Sequence, residues 1–191
     1  MDRSALAVAQ TDADERPPVQ PRPAAEPVDE PGRLRAGRAD TKVELKGTHL
    51  CCGQCVAAVG GIVKKVDGAT AKCDQKAGTV TITAKDDATA QKAIDALAAG
   101  GFHGTTDHKD IKVKDDSGAT KGKVKSLTLE GVHNCCGQCN KAIVAALGKV
   151  AGVTGNTAKV KAESFEVTGD FDAADVVKAL NDAGYHARVK K

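Results

Sequence analysis

Val43 and Leu45 alternate with polar neighbours, and Leu127 and Leu129 repeat the pattern later in the chain. Such alternation predicts a strand with one buried face. After each strand the period lengthens. Ala58, Val59, Ile62, Val63 and Val66 recur as Ala142, Ile143, Ala146, Leu147 and Val150, a spacing that lines one face of a helix. Each helix is expected to stop at a glycine, Gly68 or Gly152. Alternation then returns. Ala69, Ala71 and Cys73 followed by Val80, Ile82 and Ala84 predict a strand hairpin. Ala158 with Val160, then Phe165 with Val167, predict its second copy. Ala90, Ala93, Ile94 and Leu97 recur as Ala173, Val176, Val177 and Leu180, a second helical face with Asp residues ahead as caps. Gly101-Phe102-His103 then recurs as Gly184-Tyr185-His186. A last strand is expected at 187–190. In the first copy, 105–107 and 111–114 both suit that place.

The order is β-α-β-β-α-β, twice. It predicts an α+β chain of two ferredoxin-like βαββαβ domains in tandem, each an antiparallel four-stranded sheet with both helices on one face. The domains are placed at 41–114 and 124–191. The connector, 115–123, is charged and contains glycine. As a flexible coil it spans roughly 15–18 Å, leaving the two copies free to meet or stay apart. Residues 1–40 carry all six prolines and no apolar period, so a disordered Pro/Ala-rich tail is expected there.

Hydrophobic residues make up 41 % of the chain and aromatics only 2 %, so the cores must be small, tightly packed and built on Ala and Val. Net charge is +3, with 28 basic and 25 acidic residues well mixed. That balance is a solvated surface and excludes a nucleic-acid footprint. One Tyr and no Trp leave no stacking platform for single strands. No stretch approaches the roughly 20 apolar residues of a membrane span. Ala7-Val8-Ala9 fits a small-x-small cleavage rule, but the apolar run before it is too short for a working signal peptide. A cytoplasmic protein is one reading. A periplasmic or exported one is the other, if the true start lies upstream of Met1.

The candidate chemistry lies in a repeated loop. Gly47-Thr48-His49-Leu50-Cys51-Cys52-Gly53-Gln54-Cys55 recurs as Gly131-Val132-His133-Asn134-Cys135-Cys136-Gly137-Gln138-Cys139. Cys52 with Cys55, and Cys136 with Cys139, have Cys-x-x-Cys spacing at the junction of strand and helix. A helix N-terminus favours thiolate, and paired thiolates suit soft cations such as Cu(I), Zn(II), Cd(II) and Hg(II). Cys51 and Cys135 add a third sulfur to each loop, although adjacent residues often point apart. His49 and His133 are candidate nitrogen donors, since three Cys and one His form a tetrahedral zinc set. Cys73 alternates with Ala69 and Ala71 and reads as a small core residue. His108 reads as a solvated loop residue, and His103 and His186 as surface positions opposite inward Phe102 and Tyr185.

A βαββαβ unit with Cys-x-x-Cys after its first strand resembles the heavy-metal-associated domain, whose members include copper chaperones, the periplasmic mercury-binding protein and the N-terminal modules of metal-transporting P-type ATPases. The resemblance covers both repeats. It implies that Cys52/Cys55 and Cys136/Cys139 are the metal pairs and that Gly47 and Gly131 match the family glycine. It also implies that Phe102 and Tyr185 are the aromatics near the metal loop. The family pattern is Gly-Met-x-Cys-x-x-Cys. Here the loop is two residues longer and lacks the methionine, a core anchor in the family, for which Leu50 is a fair substitute and Asn134 a poor one. Cys51 and Cys135 shift the site toward three-sulfur coordination.

The leading expectation is therefore non-catalytic binding of a soft metal for transfer, buffering or detoxification, copper(I) or zinc first, cadmium or mercury next. The partners it implies are a metal-transporting ATPase or another Cys-pair acceptor, with the chain a monomer or a metal-bridged dimer. Two further readings stand beside it: a thiol–disulfide redox module, and an interaction protein whose metal only stabilises the fold.

Overall fold

The computed structural model describes residues 40–191, so the tail expected at 1–40 lies almost wholly outside the described residues. The first repeat contains β1 (Thr41–Lys46), α1 (Gly53–Val63), β2 (Ala69–Asp74), β3 (Thr79–Ala84), α2 (Asp87–Ala99) and β4 (Thr105–Thr106). The second contains β5 (Lys123–Glu130), α3 (Gly137–Leu147), β6 (Val153–Asn156), β7 (Ser164–Asp172), α4 (Ala173–Asp182) and β8 (Arg188–Val189). Each repeat forms one antiparallel four-stranded sheet, ordered β2-β3-β1-β4 and β6-β7-β5-β8. The ferredoxin-like expectation is met in both copies.

The apolar periods explain the packing. Val43 faces Ile82 and Leu45 faces Val80 across β1 and β3, and all four are fully buried with Val59, Ile94 and Leu97 from the helices. In the second repeat Leu127 pairs with Val167 and Leu129 with Phe165, beneath Ile143, Leu147, Val176 and Leu180. Burying one such side chain contributes about 1.5–3 kcal/mol. Asp86 and Asp172 cap α2 and α4 by accepting from the backbone N–H of Thr89 and Ala174.

Two expectations need correction. The first helices end at Val63 and Leu147, before Gly68 and Gly152. Beyond them Val66 N–H bonds Val63 C=O and Val150 N–H bonds Leu147 C=O, so tight turns keep the apolar period running. Gly68 and Gly152, at φ +78 and +87, then reverse the chain into the next strand. The hairpin strand expected at Ala158–Val160 lies instead at Val153–Asn156. That strand includes Gly155 and has little apolar signal, whereas Val160 is 42 % exposed. Of the two places left open for the last strand of the first repeat, the strand takes the earlier, at Thr105–Thr106, and Ile111 is a buried residue beyond it.

Both repeats lie in one compact unit. The stretch between them is not a free coil. Asp116 contacts His186 at 2.5 Å, Val189 N–H bonds Ser117 C=O, and Ser117 is buried. The repeats also meet directly by an antiparallel bridge between Phe102 and Tyr185. His103 N–H bonds Gly184 C=O at 3.1 Å, and His186 N–H bonds Gly101 C=O at 3.0 Å.

Candidate metal centre

Each Cys loop leaves its strand through a left-handed glycine, Gly47 at φ +77 and Gly131 at φ +74. Cys52 and Cys136 then occupy the cap positions of α1 and α3 in extended backbone. Cys55 and Cys139 sit in the first helical turn and are fully buried. No side chain closes either cap. The N–H groups of Cys55 and Gln54 pull the Cys52 thiol below its ordinary range. Those of Cys139 and, to a smaller degree, Gln138 bring Cys136 down to about 6, aided by the neighbouring thiols. Burial pushes Cys51, Cys135 and Cys55 the other way. The helix N-termini therefore favour thiolate at Cys52 and Cys136, while burial favours the protonated thiol at Cys51, Cys135 and Cys55.

The two loops do not stand apart. Cys51 lies 3.3 Å from Cys139 and 3.5 Å from Cys136, Cys55 lies 3.7 Å from Cys135 and 3.8 Å from Cys139, and Cys52 lies 3.9 Å from Cys136. Within loops, Cys52 and Cys55 are 3.8 Å apart and Cys136 and Cys139 3.6 Å. Cys51 and Cys135 approach Cys55 and Cys139 at 3.7 and 3.6 Å. All six cysteines are free thiols. The neighbours Cys51 and Cys52 both belong to a group with Cys136 whose sulfurs lie within 4.8 Å of one another. Adjacency in sequence does not separate them here. Cys73, half-buried on β2, lies outside the thiol groups among the described residues.

The histidines and aromatics pair across the repeats. His49 of the first stacks on Tyr185 of the second, with ring centroids 4.4 Å apart, and His133 stacks on Phe102 at 4.3 Å. Tyr185 also donates its hydroxyl to Cys139 C=O at 3.1 Å. A ring nitrogen of His49 lies within 4.8 Å of the Cys51 and Cys139 sulfurs. The Nε2 atoms of His49 and His133 are buried and unpaired among the described residues. Burial lowers the pKa of both rings, which keeps a lone pair available.

Leu50 is buried. Asn134 is buried too, and its amide donates to Asn140 Oδ1 at 2.9 Å and Lys159 C=O at 3.0 Å. His186 is 2 % exposed, against the surface position expected for it. Its Nδ1 lies 3.3 Å from that of His103, because the bridge turns both rings into the junction. Sequence reasoning saw Gly-aromatic-His in both copies but assigned each to its own repeat. The repetition itself was the one available sign that the two segments meet.

Cys-x-x-Cys held at the β1-to-α1 and β5-to-α3 junctions of βαββαβ units makes the chain similar to heavy-metal-associated domains, twice over. Among solved structures, it resembles the copper-binding domain of the P-type ATPase HMA7, at 21 % identity over 36 % of this chain and 96 % of that one, with TM-score 0.34. It is similar to the N-terminal domain of PacS from Synechocystis PCC6803, at 29 % identity over 36 % of this chain and 100 % of that one, TM-score 0.33. The N-terminal soluble domains of Bacillus subtilis CopA match over 79 % of this chain and 94 % of theirs, at 18 % identity and TM-score 0.28. No family model and no curated protein matches the chain.

Proposed function

We propose that the chain is a two-domain carrier, with domains at 41–114 and 124–191, that binds a soft cation of the copper(I), zinc, cadmium or mercury class. The ligands are Cys51, Cys52, Cys55, Cys135, Cys136 and Cys139, and the cation is cargo for transfer, buffering or detoxification. The observation that carries this reading is the convergence of six free thiols from both loops, at separations down to 3.3 Å. Soft sulfur donors at such distances select soft cations. The site opens to a surface hollow lined by Cys51, Cys52, Cys136, the glycines Gly53 and Gly137, and Lys141. A side chain at either glycine would meet open space, so an approaching Cys pair finds little in its way. Exchange to such an acceptor, a metal-transporting ATPase for example, proceeds by stepwise thiolate attack on the cation.

The test is anaerobic titration of the reduced protein with Cu(I), Zn(II), Cd(II) and Hg(II) against a competing chelator. Tight binding of at least one cation is expected, weakened about a hundredfold in Cys52→Ser with Cys136→Ser, or about 2.7 kcal/mol. Unchanged affinity in that variant would remove the thiols from the function. Chelation should leave the circular dichroism spectrum unaltered, because each repeat has its own apolar core. Unfolding on chelation would make the metal a structural support instead.

A further inference from the structure

Resting on the metal-binding reading, the arrangement of the sulfurs goes further than two Cys-x-x-Cys sites. The close separations run from 3.3 to 3.9 Å and already join all six thiols in one network. Cys51 with Cys52, Cys52 with Cys135, and Cys135 with Cys136 lie within 4.8 Å. The pairs outside this set are Cys51 with Cys135, Cys52 with Cys139, and Cys55 with Cys136. Six points joined in this way have the connectivity of an octahedron, and those three pairs are its opposite corners.

Four triangles stand out on that octahedron. Three are Cys51–Cys52–Cys136, Cys52–Cys55–Cys135 and Cys135–Cys136–Cys139. The fourth is Cys51–Cys55–Cys139, with sides of 3.3, 3.7 and 3.8 Å. These triangles share corners and no edge, and every thiol belongs to two of them. One cation in each triangle gives every cation three sulfurs and every sulfur two cations.

We infer that the six thiols form a single basin for four univalent soft cations of the copper(I) class, bound as one thiolate-bridged cluster between the repeats. Geometry decides the coordination number. With metal–sulfur bonds of about 2.3 Å, a trigonal site has sulfurs about 4.0 Å apart and a linear one about 4.6 Å. The observed separations of 3.3–3.9 Å favour the trigonal case. A tetrahedral four-sulfur site needs four mutually adjacent thiols, and an octahedron offers at most three. Loading replaces thiol protons by cations. Six thiolates and four univalent cations leave a charge of −2, with the Lys141 side chain at the rim of the hollow to moderate it.

The experiment is native mass spectrometry of the reduced chain during anaerobic addition of Cu(I), with X-ray absorption at the copper edge. At two copper per chain the four-copper species is expected alongside metal-free protein, with the one- and two-copper species minor. The spectrum should show three sulfurs per copper and a copper–copper shell. Cys51→Ser with Cys135→Ser removes two opposite corners and should reduce the four-copper species at least tenfold. Circular dichroism checks that this variant keeps its fold. If it does not, the parent's stoichiometry and copper–copper shell still decide. Saturation at two copper filled in independent steps, without a copper–copper shell, would overturn the cluster while leaving metal binding intact. Failure to bind copper or any other soft cation would overturn both.

Discussion

Gly101→Ala is expected to destabilise the protein by about 3 kcal/mol and to pull the two Cys loops apart. Gly101 has φ +84, and a Cβ there would stand 2.2 Å from the backbone nitrogen of His133 and 2.4 Å from Gly131 C=O. Backbone cannot move aside as a flexible side chain does. A left-handed alanine costs about 1–2 kcal/mol, and overpacking a tight contact adds about 1–3 kcal/mol. Gly184→Ala should act alike, since its Cβ would lie 2.4 Å from Gly47 C=O and from the His49 nitrogen. Gly118→Ala is the control. Its φ is +67 but no atom lies within 4 Å, so it carries the conformational cost without the collision. Urea unfolding of the three variants separates the two effects. Equal losses for Gly101→Ala and Gly118→Ala would mean that the glycine contact does not set the docking of the repeats.

Acid is expected to loosen the same junction. His103 Nδ1 faces His186 Nδ1 at 3.3 Å, and the rings lie nearly parallel. Burial and then the neighbouring His186 bring the His103 pKa down to about 4, against the opposing pull of Asp182 and Asp115. On the other side His186 Nε2 meets the Asp116 carboxylate, which Arg188 also reaches at 3.6 Å. The unfolded chain, with His103 near 6.5, binds a proton that the folded chain refuses. The stability from this group is thus complete above pH 6.5 and declines as pH falls toward 4. After discount for the partial exposure of His103, the loss is about 1–2 kcal/mol. The check is unfolding of metal-free protein at several pH values in that window, for the parent and His103→Asn. The variant should show a flatter decline, and an identical slope would assign the acid sensitivity elsewhere.

Much of this was legible in the chain. Val43, Leu45 and their counterparts marked the first strands, and Asp86 and Asp172 lay where caps were expected, because these features are local. The six cysteines were equally visible as ligand candidates. The strand at Val153–Asn156 was not, because Gly155 interrupts its alternation while Ala158 and Val160 imitate one. Nor was the union of the loops. It depends on Gly101 and Gly184 admitting the backbone of the other repeat, and on His49 and His133 reaching across to Tyr185 and Phe102. Contacts between positions in different repeats leave no periodic trace. Residues read as separate surfaces were two sides of one junction.

The tether from Asp115 to Lys123 makes assembly of the sulfur network a unimolecular event. Two separate one-repeat chains would have to find each other in solution, and dilution would take their site apart. A covalent connection instead keeps the two loops beside each other, however scarce the protein. With Asp116 and Ser117 anchored on the second repeat, the joint site should survive at protein levels where a dimer would have fallen back to halves.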